Sequence, residues 1–428
     1  MRLRKIIYVL FVIIMMFVFS SCKKECKHVS SDWIVDATET CTKKGSKHKE
    51  CAKCHEILAT EEIPVLGHKY NKNGICTRCG DVLKQAELEF EMGPEYTYYI
   101  VTGIDHDEND KSDLAIIIPK EYKGYPVVAI KNEAFKKETR IKSVNISDNI
   151  SVIGYEAFSG CTGLKNIELP ESVVVIGENA FSECRNLTSI ELSKNVELIG
   201  IGAFSGCTGL TSMTVDEKNP IFDSRLDCNA IIETKSNKLI SGCKKTKIPD
   251  SVTSIESYAF SKCYSLTDLV IPNSVTSIKS YAFNECTGLT SVEIPNSINY
   301  IERYVFYKCE NLKSVVIPDS VTVIGSYAFS ECKSLTNIEI PTSVDTIRNY
   351  AFEGCTSLTS ITIPNTVKEF GHGAFYNCTS LTNVYFRGTL EEWRSIRIMN
   401  ATSTPESYAE HIYVLDKNNE YVEIDINN

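Results

Sequence analysis

At 428 residues the chain is longer than one compact core of ordinary shape accommodates, so it folds as several domains or as an array that grows by addition. Apolar residues at 43% and charged residues at 23% exclude a wholly disordered chain. A formal net charge of -10 excludes an unassisted grip on nucleic acid, where Lys and Arg neutralising phosphates supply most of the affinity.

The first predicted element is an address. Arg2, Arg4 and Lys5 precede an apolar run from Ile6 to Phe19, 14 residues and shorter than the roughly 20 that cross a bilayer as a helix. The run ends at Ser20-Ser21-Cys22-Lys23, which resembles the processing site of bacterial lipoproteins, although Phe19 stands where an aliphatic residue is usual. Residues 1–22 are therefore expected to be a lipoprotein-type signal peptide with Cys22 as the lipidated residue; a plain secretory signal with an incidental cysteine is the alternative. Two acyl chains on Cys22 would give lasting membrane attachment.

Residues 23–85 change composition abruptly, with six cysteines and four histidines between Glu25 and Gly80. Two Cys-x-x-Cys knuckles, Cys51 with Cys54 and Cys76 with Cys79, have the spacing by which one tight turn presents two thiolates to a tetrahedral ion. His28 and His68 each precede a knuckle. The expected assignment is His28, Cys41, Cys51 and Cys54 around one zinc ion, and His68, Cys76 and Cys79 with Cys26 around a second. Such sites are saturated by protein ligands, so the zinc is structural and folds a segment too poor in apolar residues to fold alone. The same six cysteines as three disulfides are the alternative, and His48 and His55 are expected at the surface. The segment resembles the small zinc-ribbon-like modules that precede repeats in other exported bacterial proteins. Its basic run "CTKKGSKHKECAKC" reads as a solvated face or one that lies near anionic headgroups.

From residue 131 a period takes over. Ala-Phe recurs at Ala134-Phe135, Ala157-Phe158, Ala180-Phe181, Ala203-Phe204, Ala259-Phe260, Ala282-Phe283, Ala328-Phe329, Ala351-Phe352 and Ala374-Phe375, with Val305-Phe306 in the remaining slot. Every step is 23 residues except the 56 from Phe204 to Phe260, one repeat plus an enlarged unit near 215–250 that is expected to project a hairpin. In "SLTDLVIP" the apolar positions alternate as in a strand with one buried side, and Pro272 closes it because proline gives no N–H to a ladder. Val275 with Ile278, and Ala282 with Phe283, add two further apolar sides. One unit cannot bury three apolar sides alone, whereas stacked units bury them against each other.

The repeat "LTNIEIPTSVDTIRNYAFEGC" resembles the BspA-type leucine-rich repeats of bacterial surface proteins. The resemblance implies an α/β repeat fold: a right-handed curved solenoid with a parallel sheet on one face. It implies an amino-terminal cap over 86–130, repeats over 131–386, and a carboxy-terminal cap and tail over 387–428, where Trp393 covers the last rung.

Nine cysteines, Cys161 to Cys378, each lie three residues after a repeat phenylalanine and so form one column. They are expected to be buried reduced thiols, since an odd number cannot pair completely and free cysteine behaves as a small apolar residue. Cys228 and Cys243, off the column, are candidates for a disulfide with each other.

No phosphate loop, nucleophile elbow or zinc-protease motif occurs, and the repeated acids are spread one per rung, so no enzymatic activity is expected. The outward strand residues Glu168, Glu191, Val270, Glu293, Val316, Glu339, Thr362 and Tyr385 form the expected binding face. The expected protein is an exported, adhesin-like surface protein. It would meet a protein or glycan partner on a host, a matrix or a neighbouring cell, touch the membrane only through its lipid, and bind no nucleic acid. A structural or zinc-handling envelope protein without a macromolecular ligand is the alternative.

Overall fold

A computed structural model describes residues 27–105, 110–399 and 404–424; the expected signal peptide, Cys22 and Cys26 lie outside them. The chain divides into two compact units, one running to Asn71 and including Ile75–Val82, the other formed by Lys72–Gly74 with Leu83–Asn428.

The larger unit is a solenoid of strands and turns. One side carries parallel strands of three to five residues: Ser189–Leu192 beside Ser212–Val215, Ser291–Glu293 beside Ser314–Val316, and then Asn337–Glu339, Ser360–Pro364, Asn383–Arg387 and His411–Leu415 in succession. The antiparallel strand Tyr421–Ile424 closes that edge. A second side carries two-residue strands, Val152↔Val175↔Leu198 in one ladder and Tyr300↔Val323↔Thr346↔Glu369 in another. Partners are 23 residues apart as far as Asn383–Arg387, so the sequence period is the ladder register; the closing strand His411–Leu415 pairs 28 residues on. The long-strand side is interrupted, because 166–168 and 268–270 carry no strand pairing.

The third side is built of turns rather than helices around each Ala-Phe pair. Backbone bonds run rung to rung there, as from Phe181 N–H to the Ala203 carbonyl and from Phe329 N–H to the Ala351 carbonyl, both 2.8 Å. The phenylalanine rings stack in two columns, Phe135 to Phe204 at 5.0–5.7 Å and Phe260 to Phe375 at 5.3–5.5 Å between centroids. These separations suit offset stacking, which adds to the area each ring buries.

All nine column cysteines are buried as free thiols. In eight of them Sγ donates to the carbonyl of the phenylalanine 26 residues earlier at 3.0–3.3 Å, as from Cys309 to Phe283. The Phe283 carbonyl also accepts the Cys286 N–H at 3.1 Å, so the thiol of the next rung uses its second lone pair. Cys263 follows the enlarged unit and has no phenylalanine at that spacing.

The enlarged unit does not project its hairpin. Ala230–Glu233 and Lys238–Gly242 pair antiparallel, and the second strand joins Ser254–Ile255 in parallel, which sets the hairpin inside the stack. It forms a wall between two cores. Ile231 and Cys243 pack with the core that begins at Ala86, whereas Cys228, Ala230, Ile232 and Leu239 pack with the core that ends at Val414. Alternation along the strand sends neighbouring side chains to opposite faces, so both faces are apolar. Cys228 and Cys243 consequently face different cores and stand as separate buried thiols.

The last rung is covered by the helix Leu390–Arg394. Thr389 caps it reciprocally with Glu392, and Trp393 packs on Phe386 and Phe370 at 5.1 and 6.1 Å while its Nε1–H donates to Glu406 at 2.6 Å. Thr389→Ala is expected to cost about 1 kcal/mol, seen as faster amide exchange at residues 390–396 with the inner rungs unchanged.

Candidate metal sites and the repeat face

The smaller unit is a three-stranded antiparallel sheet, β1 (Ile34–Ala37), β2 (Gly45–Glu50) and β3 (Ile57–Ile63), followed by a loop with the second knuckle. The two knuckles are built alike. Cys51 N–H donates to the Glu56 carbonyl and His55 N–H to the Cys51 carbonyl; Cys76 and Gly80 repeat both bonds, to Asp81 and Cys76, all at 2.7–2.8 Å. His55 and Gly80 both take left-handed φ, 57° and 77°, the conformation that turns the chain after the second cysteine.

Two clusters result. Cys41, His68, Cys76 and Cys79 form one, and His28, Cys51 and Cys54 the other; within each cluster the candidate ligand atoms lie within 4.8 Å of one another. Cys41 thus joins the second knuckle, not the first as the sequence suggested, and takes the place expected for Cys26. The reason is the hairpin. Gly45 pairs with Ile63 and Leu66 N–H donates to the Thr40 carbonyl at 2.9 Å, which puts Cys41 beside the approach to His68. Cys51 lies at the far end of β2, where Ala52 N–H donates to the Val29 carbonyl and brings His28 alongside.

The spacing fits a tetrahedral ion and not a disulfide. Zn–S and Zn–N bonds of about 2.3 and 2.05 Å give tetrahedron edges of about 3.8 Å between sulfurs and about 3.6 Å from sulfur to nitrogen. Cys41 Sγ lies 3.9 Å from Cys76 Sγ, Cys79 Sγ lies 3.4 Å from His68 Nδ1, and Cys54 Sγ lies 3.6 Å from His28 Nδ1. A disulfide needs about 2.05 Å. The two clusters could hold metal ions.

The thiols divide in charge. The Lys53 amide N–H, 3.4 Å from Cys51 Sγ, leads the interactions that bring Cys51 down to about 5. Burial opposes ionisation at Cys76, but the amides of Arg78 and Cys79 outweigh it and bring that thiol also to about 5. Burial, with Cys79 and Cys76 beside it, pushes Cys41 up to about 11. A bound cation would displace the remaining protons. His48 and His55 pair instead with Asp36 at 2.6 Å and Glu50 at 2.8 Å.

On the repeats, Glu168, Glu191, Val270, Glu293, Val316 and Glu339 are exposed and Thr362 and Tyr385 are half-buried. Val270 is 83% exposed and Val316 59%, the latter with Glu293 and Glu339 on the neighbouring rungs. Arg387 pairs with Glu339 at 2.7 Å, and Tyr385 stacks on Tyr413 at 5.0 Å. One functional candidate escaped the sequence reading. Tyr258, Tyr281, Tyr304, Tyr327 and Tyr350 form a half-buried stack with centroids 4.5–4.8 Å apart. All five have φ of 56–62°, a region that bulky side chains seldom occupy. Asn179 and Gly373 fill the same phase without that strain. The signal was present as a tyrosine two residues before the repeat phenylalanine, in "SYAF", "RYVF" and "NYAF".

A solenoid of 23-residue strand-and-turn rungs preceded by a cysteine and histidine module is a leucine-rich-repeat protein. The family described as "BspA type Leucine rich repeat region" matches residues 128–235, 230–333 and 300–404, more than half of the 428, and the chain belongs to it. No curated protein matches. Among solved structures, a leucine-rich cell surface protein from Faecalibacterium prausnitzii is 22% identical, with 73% of this chain and 96% of that one covered and a TM-score of 0.46. A leucine-rich repeat protein from Bacteroides ovatus is 25% identical over 77% and 98%, TM-score 0.38; the pneumococcal vaccine antigen PcpA is 18% identical over 80% and 95%, TM-score 0.48. Among the described residues no helix is long and apolar enough to cross a membrane.

Proposed function

We propose that this chain is an exported, lipid-anchored, non-catalytic protein of the bacterial cell surface whose repeats bind a protein or glycan on a host, a matrix or a neighbouring cell. The observation that carries the reading is periodic display: each rung places the same outward positions in line, so a partner meets a row of repeated contacts rather than a single pocket. Rows of weak contacts gain from several copies on one cell. The tyrosine column supplies a row of the aromatic residues in which tight interfaces are enriched, whereas the strand side carries them only at its closing end, at Tyr385 and Tyr413. Zinc at the cluster of Cys41, His68, Cys76 and Cys79 has a folding role in this reading, because a site closed by four protein ligands has no position left for a substrate.

Surface plasmon resonance of the intact chain over immobilised matrix proteins, and saturation binding to cells, test the proposal. Saturable binding is expected, weakened about tenfold or more by Tyr304→Asn with Tyr327→Asn, a change that retains the backbone conformation Asn179 adopts. Binding that is non-saturable, or unaltered both by those variants and by Glu293→Lys with Glu339→Lys, would remove the repeats from the interaction.

A further inference from the structure

We propose that the module carries two mononuclear zinc sites whose ligands interlock along the chain, with Cys41 as the residue that crosses between them. This rests on the reading above that the module binds metal. In chain order the ligands alternate: His28 belongs to the first site, Cys41 to the second, Cys51 and Cys54 to the first, and His68, Cys76 and Cys79 to the second. The segment between His28 and Cys51 is therefore held at both ends by one ion and pinned near its middle by the other.

β2 makes the crossing rigid. It begins four residues after Cys41 and ends one residue before Cys51, and it is paired on both edges, to β1 and to β3. A six-residue strand spans on the order of 20 Å, so the sites sit at its two ends, too far apart to share a bridging ligand. Fixing Cys41 fixes the start of β2, and with it the position from which Cys51 enters the first site.

The second site is also the stronger. Among the described residues it supplies three thiolates and an imidazole, against two thiolates and an imidazole at the first. Cys41 and Cys76 are both buried, 8% and 2% exposed, and Cys51 at the first site is fully buried, so the number of ligands decides the order. The second site therefore fills first, and its filling pre-orders the first. Neither disulfide pairing nor two independent fingers would couple the sites in this way.

The experiment is a titration of the reduced, metal-free full chain with Co2+, following thiolate-to-cobalt charge-transfer absorption, which grows with the number of sulfurs bound. Two steps are expected, the tighter with the stronger charge-transfer intensity. Cys41→Ser should weaken the tighter step by more than about a hundredfold, since even outer-shell changes cost 10–100-fold, and weaken the other step by a smaller factor. His68→Ala should reproduce Cys41→Ser. Cys51→Ser should remove only the weaker step. The repeats provide the folding control, because their circular dichroism should be unchanged in every variant. If Cys41→Ser and Cys51→Ser abolish the same step while His68→Ala spares it, the interlocked arrangement is wrong although the module binds metal. If the unaltered chain binds no Co2+, the metal reading fails with it.

Discussion

Raising the pH from 9 towards 11 is expected to unfold the repeats core by core, the core holding Cys263 to Cys378 first, with its thiols ionising together as that structure is lost. Burial pushes Cys263, Cys309 and Cys378 up to about 12 and drives Cys161, Cys207, Cys286, Cys332 and Cys355 well above the ordinary 9. A thiol whose folded pKa exceeds its unfolded one stabilises the fold fully below the unfolded value, and that stability is lost as the pH rises through the folded value. Each such thiol loses about 1.4 kcal/mol per pH unit above about 9, so the six in the core from Cys228 to Val414 remove about 8 kcal/mol by about pH 10, a large share of the stability of a typical domain, and the two in the other core about 3 kcal/mol. The half-buried phenols of Tyr258, Tyr281 and Tyr327, also raised chiefly by burial, act in the same direction at higher pH. Beyond the thiolates that the cysteine and histidine module already carries, thiolate absorbance should therefore rise at the same pH as loss of circular dichroism. With the module's thiols blocked or metal-bound, thiolates that titrate while the dichroism stays native would contradict the buried column.

Phe306→Ala should be among the most damaging single substitutions in the repeats. The ring is fully buried between Phe283 and Phe329, 5.5 Å from each, and its removal leaves a cavity in the middle of the longer column. The expected loss is about 3–5 kcal/mol. Because each rung touches only its neighbours, the loss stays local and spreads by weakened rung-to-rung coupling. Hydrogen exchange should accelerate between residues 260 and 375 and remain slow between 135 and 204, since the hairpin of the enlarged unit separates the two cores. Equal acceleration in both cores would mean that the wall does not insulate them.

The metal assignment and the repeats were legible to different degrees, and the difference is instructive. Sequence proximity grouped Cys41 with Cys51, ten positions away. The intervening "GSKHKE" is a strand, and a strand carries its ends apart, so the nearer cysteine in sequence is the farther one in space. The knuckles themselves were readable because their ligands share one turn. In the repeats, pairing partners are one period apart, and a period is visible in a string of letters. The enlarged unit has no second copy to compare with, so its hairpin looked like an excursion; only the core on each side shows it to be an internal wall.

By itself the sequence determined the rung: its 23-residue length, its three apolar sides, the column of phenylalanines and the reduced thiols beneath it, because a repeated unit meets its own copy at the same phase. Tertiary structure alone decided what depends on meeting unlike segments: which histidine and cysteines cluster, which core each face of the hairpin seals, and that tyrosines in a disfavoured backbone conformation stack into a strip. Those contacts join residues with no common period, and their geometry follows from the path of the chain through space.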